Sequence, residues 1–300
     1  MDDSGTIWLF RIAGLFAGIA LSLPVARRIG GYYRAKRTSE QELFIDTWWA
    51  LYTLIQTVIL VVTRESPALL ITLAAFPAYW SVKRWLMGGL RAAEAPPVRL
   101  LLLRVFGHDR RTERLLDELT LRWRPIGTVE LIAGRDLAFR NIDPQELYTF
   151  LTGGLAREFV KDDGDLARRL DHSDERQDPD GRYRLTQFFC HRNTWQRVLD
   201  NLVARCDAVL MDLRGFDEKR LGCQYEITRL GAHLGEKTIV LLTDQSTRVD
   251  LLETLLSEAA LSRAGGVSQG TARGFLLEAG GSPAETVATA TRLLLGARPA

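Results

Sequence analysis

Residues 1–90 constrain this chain more than any other part of it, because they hold three long apolar stretches that are almost free of charge. The first runs from 6 to 26 (TIWLFRIAGLFAGIALSLPVA), the second from 47 to 63 (TWWALYTLIQTVILVVT) and the third from 67 to 86, with Pro77 inside it. A bilayer-spanning helix needs about 20 apolar residues. The first stretch meets that length and the second sits at its lower limit. The third reaches it only with the help of Trp80, Trp85, Leu86 and Met87. Trp48, Trp49, Tyr79, Trp80 and Trp85 fall near the ends of the second and third stretches, where amphipathic rings favour the membrane–water interface. Arg11, the one charge inside the first stretch, lies near enough to its start to snorkel outward. A helical bundle buried in a soluble protein is the competing reading, but buried soluble helices rarely stay uncharged over such lengths.

Orientation follows from the basic residues of the short loops. Arg27, Arg28, Arg34, Lys36 and Arg37 follow the first stretch, and Lys83, Arg84 and Arg91 follow the third. Only Arg64-Glu65-Ser66 separates the second from the third, and the N-terminal tail carries Asp2 and Asp3. The expected topology is an outside N-terminus and a cytosolic C-terminal domain on an integral, plasma (inner) membrane protein. The first stretch has no basic lead-in and exceeds the length of a cleavable signal's apolar core, so it reads as an anchor.

A small-residue, Pro-terminated linker at 91–97 leads into a domain at 98–300. There, apolar runs of strand length alternate with segments of helical period: 98–106, 127–134, 207–213, 237–244 and 274–279, with 183–190 a further candidate strand, against helices at 109–123, 144–160, 193–206, 222–234, 247–261 and 283–295. Such alternation predicts parallel strands joined by right-handed crossovers. The expected fold is α/β, with a doubly wound, mostly parallel five-stranded flavodoxin-like sheet, preceded by three transmembrane helices. An insertion at about 138–190 interrupts it, with 161–182 polar and DPDG (178–181) a turn. The net charge of +2 argues against a nucleic-acid partner. Cys190, Cys206 and Cys223 are too few and too scattered for a disulfide framework or a zinc site, and fit reduced cytosolic thiols.

Ligands of such sheets bind beyond the carboxyl ends of the strands. No GxGxxG follows the first strand and no GxxxxGK[ST] occurs, which excludes the usual dinucleotide and P-loop signatures. The richest strand end is Asp212-Leu213-Arg214-Gly215-Phe216, followed by a helix that carries Cys223 and Glu226 on one face. The segment RCDAVLMDLRGFDEKRLGCQYEI (205–227) resembles the heart of a TIR domain, in which a buried strand and an aromatic precede a helix opening with W-C-x-x-E-L. RVFGHD (104–109) resembles the end of that family's first strand, and GRDLA (134–138) a loop after its second. Gly222 replaces the family's usual Trp and Arg220 a common Ser. The resemblance implies that Glu226 is catalytic in cleaving the N-glycosidic bond of NAD or a related nucleotide, with NAD a substrate and no cofactor or metal required. It also implies self-association. Arg135 and Arg214 would meet a diphosphate, since guanidinium binds phosphate bidentately. Asp212 would line the substrate site, and Trp195 or Phe216 would stack on a base. Two other readings stay open: a non-catalytic, membrane-tethered nucleotide sensor or interaction scaffold, and a nucleoside deoxyribosyltransferase-like enzyme.

Overall fold

The computed structural model describes residues 24–25, 28–33, 35–63, 66–87, 96–104, 110–133, 159–171, 175–234, 236–263 and 274–296. The chain divides into two units. The first comprises Met1–Ala93 together with Asn141–Leu155 and Gln177–Gly181; the second comprises Glu94–Arg140, Ala156–Arg176 and Arg182–Ala300.

In the first unit, helical backbone over 28–33 ends in a Schellman turn, in which the Arg37 N–H bonds the Tyr32 carbonyl and the Lys36 N–H that of Tyr33. Lys36 occupies the left-handed position of that turn, with φ at 54°. Ser39 then caps helix α1 (Glu40–Thr63). Its hydroxyl takes the Glu42 N–H at 3.2 Å while the Glu42 carboxylate takes the Ser39 N–H at 3.0 Å, a reciprocal capping box. Helix α2 (Ser66–Met87) packs on α1. Trp49 stacks on Tyr79 at 5.1 Å, and Asp46 accepts from the Tyr79 hydroxyl at 2.7 Å and from Lys83 Nζ at 2.7 and 2.9 Å.

Among the described residues one helix, α1, is long and apolar enough to cross a membrane, where three were expected. It begins at Glu40 rather than near Thr47, and its apolar side chains, Phe44, Trp48, Leu51, Leu54, Val58 and Val62 among them, are exposed instead of forming a core. Helix α2 has the length, but Lys83 and Arg84 near its end dilute its apolar character. The first apolar stretch lies, but for Pro24 and Val25, outside the described residues.

Among the described residues the second unit holds a single sheet of seven parallel strands: β1 (Leu100–Arg104), β2 (Val129–Ala133), β3 (Phe159–Val160), β4 (Leu185–Cys190), β5 (Ala208–Asp212), β6 (Thr238–Thr243) and β7 (Gly274–Glu278), in the order β3-β4-β2-β1-β5-β6-β7. The expected count of five is therefore too low, and every strand pair among the described residues is parallel. Taken alone, β2-β1-β5-β6-β7 follow the 2-1-3-4-5 order of flavodoxin-like sheets. The two further strands come from the insertion, which extends the sheet beyond β2. Phe159-Val160 is too short to stand out as an apolar run. The polar span after it is not all loop either, since Asp163–Asp171 forms helix α4.

Helices cover both faces. Leu101, Leu103, Val209 and Met211 point toward helices α5 (Trp195–Arg205), α6 (Leu221–Gly231) and α7 (Val249–Arg263). Leu100, Leu102, Ala208 and Leu210 point toward α3 (Arg110–Trp123) and α8 (Pro283–Leu295). Strands apolar at every position are what burial on both faces requires. The chain enters β2 through Gly127, where any Cβ would run into the carbonyl of Val98; only glycine permits the approach.

Candidate functional site

The strand order reverses between β1 and β5, and their carboxyl ends therefore border the crevice in which open α/β sheets bind ligands. Arg104 closes β1 and is in register with Asp212, which closes β5. Asp212 is only 2% exposed. Its carboxylate grips Arg214 in a two-point fork, Nε at 2.9 Å and Nη2 at 2.7 Å, and also accepts the Arg214 backbone N–H at 3.2 Å. The turn then passes through Gly215, whose φ of 74° suits glycine.

This turn is riveted to the one after β6. The Thr247 hydroxyl bonds the Leu213 carbonyl at 3.0 Å, and the Arg248 N–H bonds that of Phe216 at 3.0 Å. Asp244 organises the second turn. Burial pushes its carboxyl up, but hydrogen bonds from Ser246, Thr247 and the Gly215 N–H together outweigh burial and leave it below its ordinary value. Two strand ends are thus joined into one rigid polar platform. Asp244 was recognisable in sequence as a strand-terminal carboxylate, but nothing there showed that it orders two loops.

Glu226 lies in the second turn of α6 and is 5% exposed. Its Oε2 has no hydrogen-bond partner among the described residues. Burial pushes the carboxyl up to about 8. A glutamate on a crossover helix would ordinarily be solvated or salt-bridged; this one is buried, and no ion pair reaches it among the described residues. Its neighbour one turn earlier, Cys223, is buried with it. Burial first, and the charge of Glu226 second, push that thiol up to about 12, so it is protonated and unreactive at neutral pH. Burial raises the thiols of Cys190 and Cys206 to about 12 as well, and all three cysteines are free.

The remaining candidates fall in different places. Phe216 is fully buried in the core that contains Met211 and Ile227, so its ring packs and has no open face for a base. Trp195, half-buried at the start of α5, meets Tyr225 of α6 edge to face at 5.3 Å. Tyr225 in turn belongs to a surface group with Arg229 and Asp200, which are 2.9 Å apart. By the alternation of β5, Asp212 lies on the side of Ala208 and Leu210, whereas α6 packs on the side of Met211. Among the described residues no hydrogen bond or ion pair joins Asp212 and Glu226. Arg135 lies outside the described residues.

A further buried carboxyl, Glu130 of β2, was missed. It is 3% exposed, and its Oε2 has no partner among the described residues. Burial raises it; Arg205 and Arg99 pull it down without cancelling that rise. The available signal was a charged residue within the apolar run GTVELIAG. No protein-family model matches the chain, and neither a curated protein nor a solved structure is significantly similar to it.

Proposed function

We propose that this chain is a membrane-anchored, TIR-like effector or signalling protein whose α/β unit cleaves the N-glycosidic bond of NAD or a related nucleotide, with Glu226 as its catalytic carboxylate. The observation that carries the reading is the state of Glu226. A buried carboxyl without a partner destabilises a fold and contributes nothing structural in return; such groups concentrate at functional sites. The resemblance of 205–227 to the TIR motif supports the same residue. The crevice at β1 and β5, with Arg104, Asp212 and Arg214 at its rim, supplies the polar groups that a nucleotide's phosphates and ribose need.

In this chemistry the nicotinamide nitrogen is already cationic. The glycosidic C–N bond breaks with its electron pair moving to nicotinamide, which leaves neutral. The ribosyl carbon becomes oxocarbenium-like, and a nearby carboxylate stabilises that charge, as in glycoside cleavage. Water then adds to the carbon and releases a proton. Glu226 must itself be ionised, so the cationic substrate draws out its proton on binding. Helix α1, in a hairpin with α2, and the apolar stretch at 6–26 anchor the unit, with the N-terminus outside and residues 98–300 in the cytosol.

A second reading is favoured by the Asp212–Arg214 fork, in which the guanidinium already has a full partner: a tethered, non-catalytic sensor that binds a nucleotide by exchanging that pair. Full-length protein reconstituted in liposomes and given NAD separates the two. The enzyme reading expects nicotinamide release, lost in Glu226→Gln. Nucleotide binding without turnover of NAD or any related nucleotide would leave the sensor. A periplasm-dependent reporter fused after Ala300 should stay silent; activity there would reverse the topology.

A further inference from the structure

Helix α1 carries polar side chains at two levels, and only one of them is fully answered within the chain. Near its start, Asp46 is satisfied by the Tyr79 hydroxyl and by Lys83 of α2. Further along come Thr53, Gln56 and Thr57. The two threonines are settled by their own helix: their hydroxyls donate to the carbonyls of Trp49 and Thr53, each at 2.7 Å. The half-buried side chain of Gln56 has no hydrogen bond among the described residues. At a rise of about 1.5 Å per residue, Gln56 lies about 15 Å beyond Asp46 and about 10 Å before Thr63, the end of the helix. In a bilayer that is near mid-depth, where lipid tails offer neither donor nor acceptor and water is excluded. An amide left there without a partner is costly, and interhelical hydrogen bonds are the usual remedy.

Gln56 also lies in a regular seam. Ile45, Trp49, Tyr52, Gln56, Ile59 and Thr63 follow one another at intervals of four and three residues, the spacing at which two helices supercoil about each other. Helix α2 leaves this flank open: Ile45, Tyr52 and Ile59 are 47%, 56% and 48% exposed. The apolar stretch at 6–26 is long enough to lie along it, but from Ile12 to Leu21 it has no polar side chain to answer an amide at that depth. A second copy of the chain does. Two copies inserted with the same orientation bring the same residue to the same level, and a primary amide is complementary to itself, since each carries N–H donors and a carbonyl acceptor.

We propose that α1 is a contact between two copies of this chain within the bilayer, packed in parallel along that seam, with the two Gln56 amides hydrogen-bonded to each other across the two-fold axis. The apolar neighbours supply close packing, and the amide pair fixes the register, because sliding one helix by a heptad would strand both amides in hydrocarbon. This inference rests on the anchor part of the proposed function, and neither on its chemistry nor on the TIR resemblance.

Energy transfer between full-length molecules tests it. Batches labelled at the amino terminus with donor or acceptor dye are mixed and reconstituted in phosphatidylcholine vesicles over a series of lipid-to-protein ratios. Wild type should show transfer that falls on lipid dilution as a dimer dissociates. Gln56→Leu suits hydrocarbon better than glutamine, so it inserts without loss, and it should weaken pairing about 3- to 30-fold. Gln56→Asn keeps the amide and should restore most of the pairing. Vesicle flotation and helical circular dichroism are read on every variant. A wild type that fails to float overturns the anchor reading and this contact with it. A floating wild type that is monomeric at every dilution, or pairing unchanged in Gln56→Leu, overturns the seam alone. A loss in Gln56→Asn as large as that in Gln56→Leu refutes the amide pair.

Discussion

Replacing the proposed catalytic residue should make this protein more stable, by an amount that depends on pH. The ordinary carboxyl value of 4.5 rises to about 8 for Glu226 in the fold. The folded state therefore keeps a proton that the unfolded chain releases over that interval. Each pH unit spent there costs 1.36 kcal/mol. Stability is highest below about 4.5, falls as pH rises through the interval, and levels off above about 8. At pH 7 the accumulated loss is about 3 kcal/mol, and above pH 8 about 5 kcal/mol. Glu226→Gln has the same shape and a similar buried polar burden, but no proton to lose. The two proteins should match near pH 4.5, with the glutamine variant ahead by about 3 kcal/mol at pH 7. With a urea slope of about 2 kcal/mol/M, that is a midpoint shift of about 1.5 M. Pulse proteolysis across a urea series, on the full chain in detergent at pH 5, 7 and 8, measures it. Equal midpoints at pH 7, or a less stable glutamine variant, would show that the carboxylate is ionised and has a partner, and the reasoning would fail.

The Asp212–Arg214 fork gives a sharp contrast: Arg214→Ala leaves a carboxylate buried and unpaired and should cost ~3–5 kcal/mol, while Asp212→Asn/Arg214→Met recovers most of it, read from the same urea midpoints. Phe216→Ala should cost ~3–5 kcal/mol, as for any large buried ring, and leave nucleotide affinity per folded molecule unchanged by calorimetry; a selective loss of affinity would return the ring to the binding site. If NAD is cleaved, kcat/KM should climb with pH and level off above about 8, where free Glu226 is ionised. A profile flat from pH 6 to 9 would detach Glu226 from the rate.

How much of this was legible depended on what each signal averages over. Strands β1, β5 and β6 stand in the sequence as unbroken apolar runs because both their faces are buried, and helices α3 and α8 as amphipathic periods. Strand β3, two residues long, lies below any periodic signal, and β7 is exposed along most of its length, so neither strand number nor edge follows from patterning. Residues near one another in sequence lie together in the fold: Asp212 pairs with Arg214, and Cys223 is buried beside Glu226. Long-range pairings were invisible. Nothing in the chain announces that Lys36 meets Asp178, that Asp46 meets Lys83, or that Trp195 meets Tyr225. The burial of Glu226 was also hidden, because α6 buries it between Cys223 and Ile227 on a face that sequence marks only weakly.

The resting protonation of Glu226 bears on which bond the site can break. A buried carboxyl gives up its proton readily only when a positive charge arrives to replace it. On the NAD-cleaving reading proposed above, the nicotinamide end brings that charge, substrate binding itself would create the catalytic anion, and a site without substrate would stay neutral and quiet. A neutral purine or pyrimidine nucleoside brings none. For such a substrate the same group would act as an acid, donating its proton to the departing base, and activity would fall as pH rises past about 8. The direction of the alkaline limb therefore separates a NAD-cleaving site from a nucleoside-transferring one. It does so without knowledge of the natural substrate, because it depends only on whether the reaction needs Glu226 with or without its proton.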